Sequence, residues 1–330
     1  MKFFDTHCDT VMKVMDGSLD FLTGEGVGHV SLPGMLSVGS CAQVFACFVN
    51  SKNFPGKERD QAEAVIAAIN RMIIGTQGKM QLALDSSDIH NACAGGRIAA
   101  LICLEGANPL DGDPEALRHF YRLGVRNLII AWQDNPFSGS AFGTNTPLTK
   151  QGKGLVELAE ELHVMIDVSH LSDRAFDDVF RITSRPFIAS HSNCRHICPH
   201  RRNLTDDMIH RLADRGGVMG INLAPLFLDP VLYKDWSGRT RKQGSTVSIP
   251  RTSLQWVVEH IRHAMNIGGE DCVGLGGDLD GISSTPDGIE GIDDYPLIPE
   301  RLFDAGLTTP QVEKVCWRNF ERVFCEVLPD

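Results

Sequence analysis

The sequence predicts an α/β fold, a closed (β/α)8 barrel of the TIM type, on three observations. Short, nearly continuous apolar runs recur along the 330 residues. They alternate with stretches whose apolar residues fall at three- and four-residue spacing. The runs have the character of parallel strands covered on both faces, and the spaced stretches that of amphipathic helices. Third, His7 and Asp9, Glu105, His170, His191 and Asp278 each stand where such a run ends. That register is expected of an active site gathered at the carboxyl ends of barrel strands.

The runs cover residues 3–5, 42–49, 98–104, 127–131, 164–168, 187–190, 218–223 and 272–275, eight in all. After the second run, Val65, Ile66, Ile69, Met72 and Ile73 form one helical stripe; before the eighth, Leu254, Val257, Val258, Ile261 and Met265 form another. A last helix follows Thr309 as N-cap with Pro310 at its first position, and carries Val312, Val315, Cys316, Val323 and Phe324. Eight strand–helix units in this length make a barrel, although strand counting alone leaves a doubly wound open sheet as a competitor. Composition does not break along the chain, so residues 1–330 read as a single domain. Two long polar connections, 133–154 and 229–250, follow strands and are placed to overhang the site.

With 42% hydrophobic and 22% charged residues the chain can bury a large core. A net charge of −11 and a pI near 5.5 disfavour nucleic acid and anionic membrane as partners and favour a small-molecule substrate. The opening MKFFDTHCDT turns polar too soon for a signal peptide, and no run has the length of a membrane span. Of ten cysteines, Cys41, Cys47, Cys103, Cys272 and Cys325 lie in apolar segments. They read as reduced thiols of a cytoplasmic protein.

Side chains alternate along a strand, so His7 and Asp9 point to the same side and can grip one ion. A carboxylate such as Glu105 can bridge two ions, and neutral imidazoles such as His170 and His191 are common zinc ligands. Each residue also has a plainer reading: Glu105 capping a turn, His170 capping the helix that begins near Ser172, His191 a satisfied core histidine. Coincidence at four separate strand ends favours the metal site. In VGLGGDLDGI the glycines lack the spacing of a phosphate loop, which leaves Asp278 as a general base and Asp280 as a turn aspartate. In HSNCRHICPHRRNL, Cys194, Cys198 and His200 lack a fourth zinc ligand. Arg202 suits a bidentate grip on a substrate carboxylate, whereas Arg201 reads as solvated.

Together these residues resemble the renal (membrane) dipeptidase family, zinc dipeptidases on an amidohydrolase-type barrel. The matching segments are FDTHCDT, ICLEGANPL, DVSHLSD, ASHSNCRHICPHRRNLTDD, VGLGGDLDGI and WRNFERVF, spread over nearly the whole chain. The resemblance implies two Zn2+ per subunit, one held by His7, Asp9 and Glu105 and one by Glu105, His170 and His191; the donor types also accept Mn2+ or Co2+. It implies Asp278 beside the bridging water, Arg202 on the carboxylate of a dipeptide, tolerance of a C-terminal D-residue, and a homodimer. The chain departs from the family pattern at Trp132, in LIIAWQDNPF, where a substrate-contacting histidine is expected. An indole N–H donates but neither accepts nor carries charge. The alternatives are another amidohydrolase activity on the same site, on N-acyl amino acids or lactones, and a barrel that has lost catalysis.

Overall fold

The computed structural model describes residues 1–237 and 249–330. Among these, nine parallel strands form one sheet: β1 (Phe3–Cys8), β2 (Ser40–Phe48), β3 (Met80–Leu82), β4 (Ile98–Glu105), β5 (Val125–Ile129), β6 (Met165–Asp167), β7 (Ile188–Ala189), β8 (Val218–Ile221) and β9 (Val273–Leu275). Pairing of β2 with β4 along Ala42–Phe48, and of β1 with β9 at Asp5 and Leu275, closes eight of them into a ring. Closure removes the open-sheet alternative. The ninth, β3, was not expected; it pairs with Ile98–Ala100 of β4 on the edge that β5 takes over from Ile102. Three residues are too few to show a period, so the sequence carries no signal for it.

Every residue of β1, β4 and β5 is buried, which is why these strands read as continuous apolar runs without alternation. The surrounding helices bury one stripe each, Val65, Ile66, Ile69, Met72 and Ile73 on Glu58–Gly75, and Val257, Val258, Ile261 and Ala264 on Gln255–Gly268. The last helical run begins one residue earlier than expected. Thr308 is its N-cap and Pro310 its second position, because the Gln311 side chain returns to accept from the Thr308 N–H at 3.0 Å. Its later part is anchored by Asn319, whose amide donates to the carbonyls of Glu270 and Val273 beside β9.

The two long connections differ. Residues 133–154 fold over the barrel mouth and enter the helix Lys150–Glu161. In the other connection, 229–250, helix Pro230–Ser237 occupies the first part, and 238–248 lie outside the described residues.

The segment after β7 is pinned from outside the barrel by His260, which is fully buried on Gln255–Gly268. Its Nδ1 accepts from the Cys194 N–H at 3.0 Å, so Nε2 carries the proton and donates to the Leu228 carbonyl at 2.9 Å. Burial pushes this imidazole down to about 4. A depressed histidine stabilises the fold fully above its unfolded value of about 6.5 and ceases to do so as pH falls toward 4. The stability advantage of the wild type over His260→Gln in urea denaturation is therefore expected to shrink by up to about 3 kcal/mol between pH 7.5 and 4. An advantage that stays constant over that range contradicts the assignment.

Candidate metal centre

Two buried carboxylates at the barrel mouth set the backbone from which the donors project. Asp5 accepts from the His7 N–H at 2.8 Å and the Gly277 N–H at 3.0 Å, tying the end of β1 to the turn after β9. The Asp278 N–H then donates to the His7 carbonyl, and the Asp9 N–H to the Leu279 carbonyl, which brings His7, Asp9 and Asp278 together. On the opposite wall Asp167 accepts from the N–H groups of Ser169 and Ser190, joining the turns after β6 and β7 that carry His170 and His191. The glycines of VGLGGD serve this crowding, since a Cβ on Gly276 would lie 1.7 Å from the Ser190 carbonyl oxygen. His170 and Asp278 both have left-handed backbone, at φ of 69° and 59°. Strain of this kind persists where surrounding contacts over-determine it, as at functional sites.

Glu105, the last residue of β4, stands between the two walls. Its Oε2 is 3.5 Å from His7 Nε2, which is also 3.5 Å from Asp9 Oδ2. Its Oε1 is 3.3 Å from His170 Nε2 and 3.9 Å from His191 Nε2, and those two nitrogens face each other at 2.8 Å. Asp278 Oδ1 is 3.9 Å from His7 Nε2, while Oδ2 accepts from the Asn222 amide at 2.8 Å.

The residues present fit a metal. Four donor atoms around an ion at bonds of about 2.0–2.1 Å stand roughly 3.3 Å apart, close to most separations found here. Among the described residues both ring nitrogens of His7 and Nδ1 of His170 are buried without a hydrogen-bond partner, a costly state that a bound cation relieves at His7 Nε2, which faces Glu105. Imidazole and carboxylate donors without a thiolate suit zinc, manganese or cobalt.

Charge is divided unevenly over the site. Burial alone would lower the His7 imidazole, but Glu105 and Asp9 outweigh it and hold it well above its ordinary value. Burial likewise opposes ionisation of Glu105, yet His7 and His170 keep its carboxyl below the usual range. His170 is pushed down to about 3 by burial and by the charge of Arg202, and His191 is held well below its ordinary value by burial and His7. Both are neutral donors. Asp278 is pushed up to about 7, chiefly by burial, with the charges of Asp9 and Glu105 adding to it.

A cavity of about 460 Å³ opens over Asp9, Glu105, His170 and Asp278, with walls that include Phe48, Trp132, Phe142 and Phe227. Trp132 stacks at tilted angles 5.0 Å from Phe48 and 6.2 Å from Phe142. Arg202 is buried and does not line this cavity; its fork donates to Ser192 Oγ at 2.6 Å and to the His191 carbonyl at 2.8 Å, and its Nε has no partner. Arg201 is exposed, as its solvated reading implies. Asp280 accepts from Thr10 Oγ1 and the His29 N–H and holds its turn. Cys194 and Cys198 hydrogen-bond to different carbonyls, of His260 and Leu226, and do not gather with His200. Three contributors escaped the sequence reading: Asn222, which orients Asp278, Ser190, bonded to His191 Nδ1 at 2.7 Å, and Ser192. Asn222 lies inside the seventh apolar run, 218–223, and only the strand Val218–Ile221 shows that it stands directly after a strand end, the register that flagged the others.

A closed parallel barrel with imidazoles and carboxylates converging at its carboxyl mouth defines a metal-dependent hydrolase of the amidohydrolase type. Residues 1–328 match the model of the membrane dipeptidase family (peptidase family M19), and the chain belongs to that family. It is a metallo-dipeptidase. Relatives include a Klebsiella pneumoniae protein of the pqqA 5′ region, 33% identical over 83% of this chain and 98% of its own length. The dipeptidase tcpJ of Claviceps purpurea is 28% identical over 92% of this chain and 71% of its own. Among solved structures, a metallopeptidase from Rhodobacter sphaeroides liganded with a phosphinate mimic of L-Ala-D-Ala superposes with a TM-score of 0.88. It is 25% identical and the match covers 99% of each chain.

Glu105→Gln puts an amide between the two walls and removes the shared negative charge. Bound metal, measured by elemental analysis after dialysis against metal-free buffer, is expected to fall at least tenfold while far-UV circular dichroism is kept. Undiminished metal content removes Glu105 from the donor set.

Proposed function

We propose that this dipeptidase works with two zinc ions, one held by His7, Asp9 and Glu105 and the other by Glu105, His170 and His191. The observation that carries the reading is the division of Glu105, one oxygen toward His7 and the other toward His170 and His191. Ions bound there supply Lewis acidity and acidify a water from 15.7 toward about 7. Asp278 would take a proton from the attacking water and return it to the departing amine. Asn222 holds one Asp278 oxygen and leaves the other free to face His7, so the carboxyl keeps its aim through both transfers.

Arg202 is the counter-charge for the free carboxylate of a dipeptide. Among the described residues its two hydrogen-bond partners are neutral and its buried Nε has none, so its charge has no directly paired anion there, although Asp278, Asp167 and Glu105 lie near enough to favour it. On this reading the substrate's carboxylate must lie close to the scissile bond, which favours dipeptides over longer chains. A C-terminal D-residue is accepted on the same reading, supported by the L-Ala-D-Ala mimic bound to the Rhodobacter sphaeroides metallopeptidase. Phe48, Trp132, Phe142 and Phe227 offer apolar surface to the substrate's side chains. A cytoplasmic location belongs to the same reading, supported by ten free cysteines, nine of them buried.

Asp278→Asn is expected to keep its metal and lose at least about 10³-fold in kcat on L,L and L,D dipeptides, the scale of a general base. Preserved turnover removes Asp278 from the mechanism. Arg202→Met separates two roles. A clamp predicts a loss at least tenfold larger for dipeptides than for dipeptide amides, which lack the carboxylate. Equal losses on both would mean that Arg202 only positions His191.

A further inference from the structure

We propose a second, independent cation site on the outside of the barrel, formed by His196, Asp206 and His263, that takes a divalent transition metal of the zinc class. The three residues come from different elements. His196 lies in the segment after β7, Asp206 opens the helix Asp206–Asp214, and His263 stands on Gln255–Gly268. One nitrogen of each imidazole and one Asp206 oxygen all fall within 4.8 Å of one another. The two rings stack almost parallel, 14° apart with centroids at 4.8 Å.

An ordinary ion pair accounts for only part of this. His263 Nε2 is 2.8 Å from Asp206 Oδ1, a hydrogen bond. His196 Nδ1 is 3.7 Å from Asp206 Oδ2, too far for one. The two imidazoles thus approach different oxygens of Asp206, at distances on either side of the roughly 3.3 Å between donors that share a tetrahedral ion, and a small closure of the exposed His196 ring completes the set. Among the described residues no lysine or arginine pairs with Asp206. Arg195 is engaged by Asp173 at 2.7 Å, and Arg211 by Asp177 at 2.7 Å and Asp207 at 3.1 Å. The His196, Asp206 and His263 side chains are 67%, 39% and 18% exposed, which leaves room for water in the open coordination positions. Two imidazoles and one carboxylate select zinc, copper, nickel or cobalt over magnesium or calcium. None of the three residues belongs to the inner centre. An ion at this site ties the segment that carries His191 and Arg202 to the helix that carries His260.

The test counts bound Zn2+ by calorimetric titration and elemental analysis on wild type and on the double variant His196→Gln/His263→Gln. The variant is expected to bind one equivalent fewer and to keep its dipeptide turnover. Because the result is a difference between two proteins, it stands whatever number of ions the inner centre takes. In a second measurement, Cu2+ added to the zinc-loaded wild type gives an electron paramagnetic resonance spectrum with coupling to two imidazole nitrogens, lost in Asp206→Asn/His263→Gln. Equal equivalents in wild type and variant, or an extra equivalent only above millimolar Zn2+, overturn the proposal. Should the double variant not fold, a wild-type copper spectrum without two-nitrogen coupling overturns it as well.

Discussion

A buried carboxylate shared between two sets of imidazoles is the constraint around which this barrel is organised. Glu105 is 4% exposed, at the end of a strand that is buried along its whole length. An isolated carboxylate in such a place would be neutralised by its surroundings or would cost several kcal/mol. It stays ionised because His7 and His170 approach from opposite sides, and they can do so only while β4 is held between β2 and β5 in fixed register. Ring closure, complete burial of the strands and the position of the site are therefore one requirement seen at three scales. Burial, and after it the negative charge the three share, raises the carboxyls of Asp9 and Asp278 beside Glu105, and that charge makes the pocket a receptor for cations.

Beneath the donors lies a polar layer with a repeated logic. Asp5 stands two residues before His7 and Asp167 three before His170, and each accepts backbone N–H groups from its own turn and from the neighbouring one. Tyr295 adds its hydroxyl to Asp5. A donor on a loop is imprecise unless something fixes the loop, and here a carboxylate ties two loops at once. Burial raises the pKa of both Asp5 and Asp167, the expected cost of placing them in the interior. The left-handed backbone at His170 and Asp278 is a second cost of the same arrangement, borne where the chain must turn sharply to aim a side chain inward.

The donors were legible in the sequence because two independent signals coincide at them, a strand ending and a side chain able to bind metal. His7, Asp9, Glu105, His170, His191 and Asp278 all carry both, and the structure gathers all six. What could not be read depends on contacts between distant segments. Asn222 has no metal-binding chemistry and acquires its role only by standing opposite Asp278, 56 positions along the chain. The start of the last helix moved by one residue because the return of the Gln311 side chain, and not the proline, decides the cap. Arg202 was read from the sequence as the grip on a substrate carboxylate, but its place off the cavity wall follows from Ser192 and the His191 carbonyl, which no spacing rule reveals.

The same division separates reaction from selection. The candidate donors project from strand ends, where hydrogen bonds of the sheet fix them, whereas the cavity walls come largely from connections between strands and helices. Trp132 sits at the boundary, directly beyond β5 and 6.1 Å from the His170 ring, packed between Phe48 of β2 and Phe142 of the long connection. An imidazole at that position would be able to accept a proton or hydrogen bond from substrate; an indole offers one donor and a broad apolar face. On the proposed reading, stabilisation of charge in the reaction falls to the groups at the cavity floor. The wall is left to recognise substrate by shape and apolar area, a division that lets the walls vary without disturbing the chemistry.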